Sequence, residues 1–325
     1  MRFVMGLLAF VLMSLPIGGG AIAAPEGKRV MLLGTTNTNP YIGAWTATFS
    51  KFATQAGMKV TNLSSNYDAA VQSQQVDDAI AQKFDMIIVI YVNDQAIVPA
   101  LTRAKAAGIP VVLAVVPLRK EQEELFMSYV GTDHADLGRL AGEAMVKGLQ
   151  AEGKAKAQVV AVTGVAQQYN VQTRIDAFKG ALAKHPGYEL VANEDGKWNT
   201  ALSEKITGEL LVRFNARGGV DGVYGMADNQ AMGAIRAIES AGLKIGVANK
   251  GIVVVASNCM KDGVLNIRSG QQYGTATQIP TEEAEVAAKK VAAYFNGEKL
   301  KKYELVPVFG ITKENVEQFA AGCSY

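Results

Sequence analysis

The sequence lacks the motifs that commonly support catalysis or cofactor binding in enzymes of similar length. Its 325 residues include only two histidines and two cysteines, and neither pair has the spacing of a metal site or of a C-x-x-C redox motif. No G-x-G-x-x-G follows the first predicted strand, and neither a G-x-x-x-x-G-K-[ST] loop nor a G-x-S-x-G elbow occurs. These absences leave dinucleotide, nucleotide and hydrolase chemistry unsupported. We therefore expect no cofactor, no metal and no catalytic residue.

Neither sign of charge dominates the chain. Lys and Arg number 32 against 30 Asp and Glu, which gives a formal net charge of +2. Without a basic surplus we expect no nucleic acid partner, and no acidic run marks a tail. Beyond the first 24 residues, no apolar run in the sequence approaches the roughly 20 residues that a membrane span needs.

The first residues have the pattern of a secretory signal peptide. Arg2 precedes an apolar run of signal-peptide length, and small residues, Ala21 and Ala23, stand at the third and first positions before a cleavage point. We therefore predict a signal peptide over residues 1–23, cleaved on export, and a periplasmic location. An uncleaved membrane anchor is the alternative interpretation.

The two cysteines, Cys259 and Cys323, both lie late in the chain. An exported protein enters an oxidising compartment, in which an even pair of cysteines commonly forms a disulfide. We expect a Cys259–Cys323 disulfide, with two free buried thiols as the alternative. The bond would close a long loop and contribute about 3–5 kcal/mol if unstrained.

After the leader the chain alternates between short apolar runs and amphipathic stretches. Residues 86–90 form a continuous apolar run, which is typical of a strand covered on both faces of a parallel sheet. Residues 41–56, in contrast, carry Trp45, Phe49 and Phe52 at helical spacing. Strand–helix alternation predicts parallel sheets with helices on both faces. Because the chain is too long for one ordinary core, we predict an α/β fold of two doubly wound halves.

Ligands of doubly wound sheets bind beyond the carboxyl ends of the strands, so the residues that follow each strand are candidate site residues. Here these residues are amides, an arginine, carboxylates and aromatic rings, a composition suited to binding and without a nucleophile or base. Amide and guanidinium groups bind hydroxyls at fixed geometry, and aromatic rings stack on the C–H faces of a sugar or polyol. The residues of these types near predicted strand ends include Asn39, Tyr41, Trp45, Tyr91, Arg174, Trp198, Asp228, Asn258 and Gln278, which we take as candidate ligand-binding residues.

Several residues near these strand ends also have simpler structural interpretations. Trp45 belongs to an apolar helix stripe, so core packing is the alternative to ligand contact. Asn39 suits a turn and Asp228 suits a helix cap. Trp198 lies in a polar run, where a core role is harder to argue, and His134, near a predicted helix start, is interpreted as a surface residue.

The order and spacing of these segments resemble the periplasmic sugar-binding proteins of ABC importers, specifically the ribose-binding-protein-like group with three interdomain crossings. Each segment is a weak signal alone, but together they are specific, and the resemblance covers nearly all of the mature chain. The segments are Asn39-Pro40-Tyr41, Ala107-Gly108-Ile109-Pro110-Val111, Gly131-Thr132-Asp133, Arg174-Ile175-Asp176-Ala177-Phe178, Ala227-Asp228-Asn229-Gln230 and Gln278-Ile279-Pro280.

The resemblance implies a type I periplasmic-binding-protein-like fold of two doubly wound parallel-sheet lobes joined by three crossover segments. The expected lobes are residues 28–131 plus 279–302, and residues 132–278 plus 303–325. It implies a monomer that closes by hinge motion on a sugar or polyol and delivers it to an ABC permease in the inner membrane. Both cysteines would lie in the second lobe, so a disulfide would leave closure free.

The chain departs from the family pattern at polar positions of the expected site. Val115 and Val116 stand where sugar binders often carry an Asp-Arg pair, Ala227 stands where asparagine is frequent, and Asn258 replaces the usual aspartate. Three polar side chains are thus lost, and a fourth is neutralised. We therefore expect a smaller polyol, a deoxy sugar or a less polar ligand in place of a common pyranose or ribose.

Two other functions are compatible with the same sequence. A receptor partner for chemotaxis or two-component signalling would use this fold to bind a sugar-like ligand. An exported enzyme would use Asp228 or Asp133 as a base and would turn its ligand over.

Overall fold

The structure, a computed structural model, describes residues 25–36 and 38–325. The predicted signal peptide, residues 1–23, lies outside the described residues. Within them, no helix combines the length and the apolar character needed to cross a membrane.

The chain alternates between strands and helices over most of its length, as the sequence predicts. The strands are β1 (Arg29–Gly34), β2 (Lys59–Ser64), β3 (Met86–Val89), β4 (Val111–Ala114), β5 (Ser128–Thr132), β6 (Ala157–Thr163), β7 (Tyr188–Asp195), β8 (Gly222–Gly225), β9 (Val253–Val255), β10 (Gly274–Ala276), β11 (Tyr303–Val306) and β12 (Gly310–Thr312). The helices are α1 (Pro40–Gln55), α2 (Ala69–Ala81), α3 (Asp94–Ala106), α4 (His134–Ala151), α5 (Tyr169–Leu182), α6 (Thr200–Asn215), α7 (Asp228–Ser240), α8 (Lys261–Ser269), α9 (Pro280–Phe295) and α10 (Val316–Phe319).

The strands form two six-stranded sheets, in the orders β11-β5-β4-β3-β1-β2 and β12-β10-β9-β8-β6-β7. The pairs are parallel except for β12, which runs antiparallel to β10. Every residue of β3 and β4 is buried, because helices cover both faces of the sheet. The predicted architecture of two parallel-sheet α/β lobes is confirmed.

The chain crosses between the lobes at three places. It leaves the first sheet after β5, returns between β10 and α9, and leaves again between β11 and β12. The expected boundary at residue 303 is wrong, because Tyr303–Val306 belongs to the first sheet. These four residues pair with Tyr129–Thr132 and so satisfy the outer backbone edge of β5, a strand that is buried along its length.

Polar side chains cap several helices directly after the strands. Asn39, Asp68, Asn93 and Asp133 each accept hydrogen bonds from two backbone N–H groups at the starts of α1, α2, α3 and α4, and Asn199 accepts one at the start of α6. The caps fix where each helix begins, next to the carboxyl end of the preceding strand. The edges on which a ligand is expected are therefore held rigidly.

Cys259 and Cys323 meet in the second lobe. Both are fully buried in a small apolar cluster with Ile311 and Val316. Their Cα atoms lie 5.1 Å apart and their sulfur atoms are joined, a separation within the range of disulfides, about 4.4–6.8 Å. The bond connects two parts of one lobe and leaves the other lobe unconstrained.

Candidate ligand-binding cleft

A cavity lies between the two lobes at the carboxyl ends of their strands. Thr35, Ile90 and Val115 follow β1, β3 and β4 on one wall, and Ala227 and Asn258 follow β8 and β9 on the other. The cavity has about 520 Å³ of empty space, including its open mouth.

The cavity brings together six of the nine predicted ligand-binding residues. Asn39 and Tyr41 come from the start of α1 in the first lobe. The second lobe and the middle crossing supply the other four. The six lining residues are Asn39, Tyr41, Arg174, Trp198, Asn258 and Gln278. Their contact with a ligand stays a prediction.

Trp45, Tyr91 and Asp228 do not line the cavity, which corrects the expectation for these three residues. Trp45 is fully buried in the core and stacks on Phe49, with ring centroids 5.4 Å apart. Tyr91 is also fully buried, and its hydroxyl donates to the carbonyl of Pro117 at 2.7 Å. Trp45 is buried because it lies on the apolar face of α1, and Tyr91 is buried because it comes just after the buried strand β3.

Asp228 supports the cavity wall from behind. Its carboxylate accepts hydrogen bonds from the Met260 backbone N–H at 2.8 Å and from Gln272 Nε2 at 2.7 Å. Complete burial raises the pKa of Asp228 to about 7, and these hydrogen bonds act in the opposite direction. The carboxylate therefore fixes the loop that follows Asn258 rather than facing a ligand.

Arg174 is the centre of the polar wall. It is 2% exposed, and Nε donates to His134 Nδ1 at 3.1 Å. Nη1 donates to the Met226 carbonyl at 3.1 Å and to Asn258 Oδ1 at 3.3 Å, while Nη2 donates to Gln278 Oε1 at 2.6 Å. Because a guanidinium has no acceptor, both amides must turn their oxygens toward it. Arg174 thereby fixes the orientation of two other lining side chains.

His134 is a buried partner of Arg174, and its interpretation as a surface residue is wrong. It is 3% exposed and accepts the Arg174 hydrogen bond at Nδ1, so Nε2 carries the proton and donates to the Val115 carbonyl at 2.7 Å. Burial lowers the pKa of His134 well below its usual range, and the charge of Arg174 lowers it further. This neutral imidazole connects the two lobes behind the cavity.

Glu283 is a second buried group that the sequence did not reveal as part of the site. It lies on α9 and is fully buried, and Tyr41 donates its hydroxyl hydrogen bond to Oε2 at 2.5 Å. Burial raises the pKa of Glu283 to about 7, against the opposing effects of Tyr41 and Arg174. In the sequence this residue looks like an ordinary acidic side chain in the first turn of a helix.

Gln168 holds Trp198 in place and connects the lobes. Its Oε1 accepts from Trp198 Nε1 at 2.8 Å, and its Nε2 donates across the cleft to the Tyr91 carbonyl at 3.2 Å. The indole ring packs over Gly164, where a Cβ atom would lie 1.9 Å from it. Gln168 lies outside the predicted set because one amide before a helix gives no distinguishing signal.

The positions that depart from the family pattern all lie on the cavity. Val115, Val116 and Ala227 contribute apolar surface, and Asn258 contributes a neutral amide. Among the described lining residues, Arg174 is the one charged side chain. Within residues 25–36 and 38–325, no group of three or more His, Cys, Asp or Glu side chains is placed to hold a metal ion.

Two parallel-sheet lobes around a cavity of amides, aromatic rings and one buried arginine define a ligand-binding protein of the type I periplasmic class. A family model described as periplasmic binding protein domain matches residues 30–299. The chain therefore belongs to the family of periplasmic binding protein domains.

Individual relatives are similar along almost the whole chain. A xylitol-binding protein of Mycolicibacterium smegmatis is 27% identical over 317 residues, covering 93% of this chain and 86% of the relative. A ribose import binding protein of Haemophilus influenzae is 23% identical over 300 residues, covering 92% and 96%. A solved ABC transporter solute binding protein from Bacillus halodurans with bound myo-inositol superimposes with a TM-score of 0.82 at 20% identity, covering 92% of this chain and 99% of that structure. This structural likeness supports the fold.

Proposed function

We propose that the protein is a periplasmic solute-binding protein, which binds a sugar or polyol between its lobes and delivers it to an ABC permease. The observation that carries the proposal is Arg174, a buried cation held at the cavity by neutral acceptors. Its four internal hydrogen bonds leave one Nη2 N–H to donate to a ligand oxygen, and Trp198 offers a ring for stacking. Relatives named for xylitol and ribose support this ligand class.

The ligand that fits this wall best is a small polyol or a deoxy sugar. Hydroxyl groups of a pyranose or ribose are commonly bound by carboxylates, because a charged acceptor makes the stronger hydrogen bond. Here Val115, Val116 and Ala227 face the cavity instead, and Asn258 is neutral. A ligand with fewer hydroxyls leaves fewer of them unpaired against apolar side chains.

Closure is proposed to occur by hinge motion about the three crossings. Contacts between the lobes support a closed state. Arg119, paired with Asp94 at 3.0 Å in the first lobe, stacks over the Tyr169 ring of the second lobe at 4.7 Å. A ligand that touches both lobes adds to such contacts and favours the closed form. The permease would then recognise this form.

The arrangement of the acidic residues supports binding without turnover. Asp133 accepts hydrogen bonds from the backbone N–H groups of Ala135 and Asp136 and caps α4. Asp228 is fully buried and does not line the cavity. Neither candidate base therefore faces the space in which a substrate would lie.

Export is proposed to follow from the N-terminal leader. Cleavage after Ala23 would give a mature periplasmic monomer beginning at Ala24. Intact-mass measurement of the protein recovered from a periplasmic extract distinguishes this form from an uncleaved anchor.

A thermal-shift panel on residues 24–325 tests the proposed ligand class. The panel pairs ribose with 2-deoxyribose and galactose with its 6-deoxy form, and adds the small polyols glycerol and erythritol, xylose, xylitol, amino acids and nucleosides. A ligand at 100 times its Kd should stabilise the protein by about 2.7 kcal/mol, and we expect this for a polyol or a deoxy sugar. Stabilisation by amino acids or nucleosides alone, or a flat panel confirmed by calorimetry, would contradict the proposal. Mass spectrometry after incubation should return the ligand unchanged.

Gly164→Ala should weaken binding of the panel ligand by displacing Trp198. The new Cβ would lie 1.9 Å from the indole ring, so the ring must leave its position. We expect a rise in Kd of about 2- to 10-fold, since aromatic stacking contributes roughly 0.5–1.5 kcal/mol beyond buried area. Gly180→Ala, at a helical site with nothing within 4 Å of the added carbon, is the control for calorimetry. Equal Kd values for the two variants would mean that Trp198 does not contact the ligand.

A further inference from the structure

The last residue of the sequence, Tyr325, reaches back to the cleft. Its ring meets the Tyr41 ring edge to face, with centroids 6.0 Å apart. Its hydroxyl donates to the Asn258 carbonyl at 2.5 Å and lies 3.3 Å from the Gln278 carbonyl. All three of these neighbours line the cavity, whereas Tyr325 itself lies behind it. Tyr325 thus touches the first lobe, the second lobe and the middle crossing at once.

The loop that Tyr325 contacts has an uncommon backbone conformation. Asn258 has a φ of 91° and Cys259 a φ of 57°, so two consecutive non-glycine residues occupy the left-handed side of the map. Such residues are individually unfavourable and persist only where surrounding contacts hold them. The Asn258 side chain must nevertheless present its oxygen to Arg174 from this loop.

Contacts from two parts of the second lobe hold the loop. Tyr325 binds the Asn258 carbonyl, Cys323 is joined to Cys259, and Asp228 accepts the Met260 N–H. Three consecutive residues, 258–260, are therefore fixed one after another. Because Cys323 is two residues before Tyr325, the sulfur bond also determines where the tyrosine lies.

We propose that Tyr325 is a positioning residue of the cleft. Anchored by the Cys259–Cys323 disulfide, it holds the strained loop at Asn258 and so the amide that faces Arg174. The disulfide is then part of the construction of the binding site, in addition to stabilising the lobe. The inference rests on the proposed function, since it assigns a role in ligand binding in this cleft.

The deciding variant is Tyr325→Phe, which keeps the ring against Tyr41 and removes the hydroxyl. The probe is the sugar or polyol with the largest shift in the thermal panel. We expect Kd to rise by up to about 10-fold, because the energy of one lost hydrogen bond bounds the cost of ordering the loop on binding, and Tm to fall by no more than a few degrees. Amide hydrogen exchange without ligand should accelerate within residues 258–260. Tyr188→Phe is the matched control, because its hydroxyl also donates to a backbone carbonyl, that of Lys154, at 2.8 Å, away from the cavity.

The possible results separate positioning from a purely structural role. Faster exchange at residues 258–260 together with a higher Kd supports the proposal, and Cys259→Ser with Cys323→Ser should raise Kd in the same direction. Faster exchange with an unchanged Kd, or unchanged exchange, overturns it. If no sugar or polyol in the panel binds, that result contradicts the proposed function. The hydrogen-exchange experiment needs no ligand, so unchanged exchange in Tyr325→Phe would overturn the positioning role by itself.

Discussion

Arg174→Met is expected to weaken ligand binding by one to two orders of magnitude. The variant removes the one charged side chain among the described cavity residues and frees the Asn258 and Gln278 amides to reorient. One Nη2 N–H stays available to a ligand beside the four internal hydrogen bonds, and a hydrogen bond to a charged group contributes roughly 1.5–3 kcal/mol, so we expect Kd to rise about 10- to 150-fold. Isothermal titration calorimetry with the panel ligand measures the effect, and circular dichroism establishes that the variant is folded.

Arg174→Lys distinguishes charge from geometry at the same position. A lysine keeps the positive charge but cannot reproduce the planar fork that reaches four partners, so binding should still fall about 10-fold or more. Arg139→Lys is the control, because Arg139 lies on the outer side of α4 and pairs with Asp136 and Glu143. Binding by Arg174→Lys and Arg174→Met at the wild-type Kd would show that Arg174 supports the fold alone.

The strands that the sequence predicts best are those buried on both faces. β3 and β4 are continuous apolar runs, because helices cover both faces of each strand. Such a run can be recognised in the sequence without knowing which strands lie beside it. β5 mixes serine, tyrosine, glycine and threonine with one valine, and it gave no strand signal. β11 was assigned to the wrong lobe because the sequence does not show which sheet a short strand joins. That choice depends on which sheet has a free edge, here the edge of β5.

The cavity residues were predictable where strand ends determine them. Asn258 and Gln278 come within three residues of a strand end, and Asn39 lies in the turn between β1 and α1; the doubly wound topology brings such positions together. Trp45 was included among the candidate ligand-binding residues, and its position on the helix stripe was equally compatible with the core, where the structure places it. Sequence pattern alone could not choose between these roles, because both use an aromatic ring near a strand end.

His134 and Glu283 were missed because each resembles an ordinary residue of a helix start. His134 is the first residue of α4, and Glu283 lies in the first turn of α9. Both helices begin directly after a crossing between the lobes. Their first turns therefore pack behind the cavity rather than at the surface, a consequence of chain path and not of local pattern.

Glu283 gives the second large expected effect, a dependence of stability on pH. Burial raises its pKa from 4.5 to about 7. The charged and titratable groups that face it are Tyr41, which donates to its carboxyl group, the rings of Tyr129 and Tyr325, and Arg174. Between pH 4.5 and 7 the folded protein binds a proton at Glu283 that the unfolded chain has released. The stabilisation is therefore complete below pH 4.5 and is lost as pH rises through about 7.

Two other groups titrate in this range, so the measurement must be a difference. Burial raises the pKa of Asp228 to about 7 as well, so Asp228 also lowers the free energy of unfolding as pH rises. His134 has the opposite effect, because burial lowers its pKa and folding then weakens as pH falls below 6.5. Both contributions are common to the wild-type protein and to Glu283→Gln, in which Tyr41 can still donate to the amide oxygen.

The free energy of unfolding of the wild-type protein, minus that of Glu283→Gln, should fall by about 3 kcal/mol between pH 4.5 and pH 8. Urea titrations at intervals across this range measure the difference. Glu285→Gln is the control on the same helix, since Glu285 is partly exposed and pairs with Lys289 at 2.6 Å. Its difference curve should vary by no more than about 0.5 kcal/mol. If the Glu283→Gln difference curve is as flat as that of Glu285→Gln, Glu283 stays ionised behind the cavity. Tyr41 then donates its hydrogen bond to a carboxylate over the whole pH range.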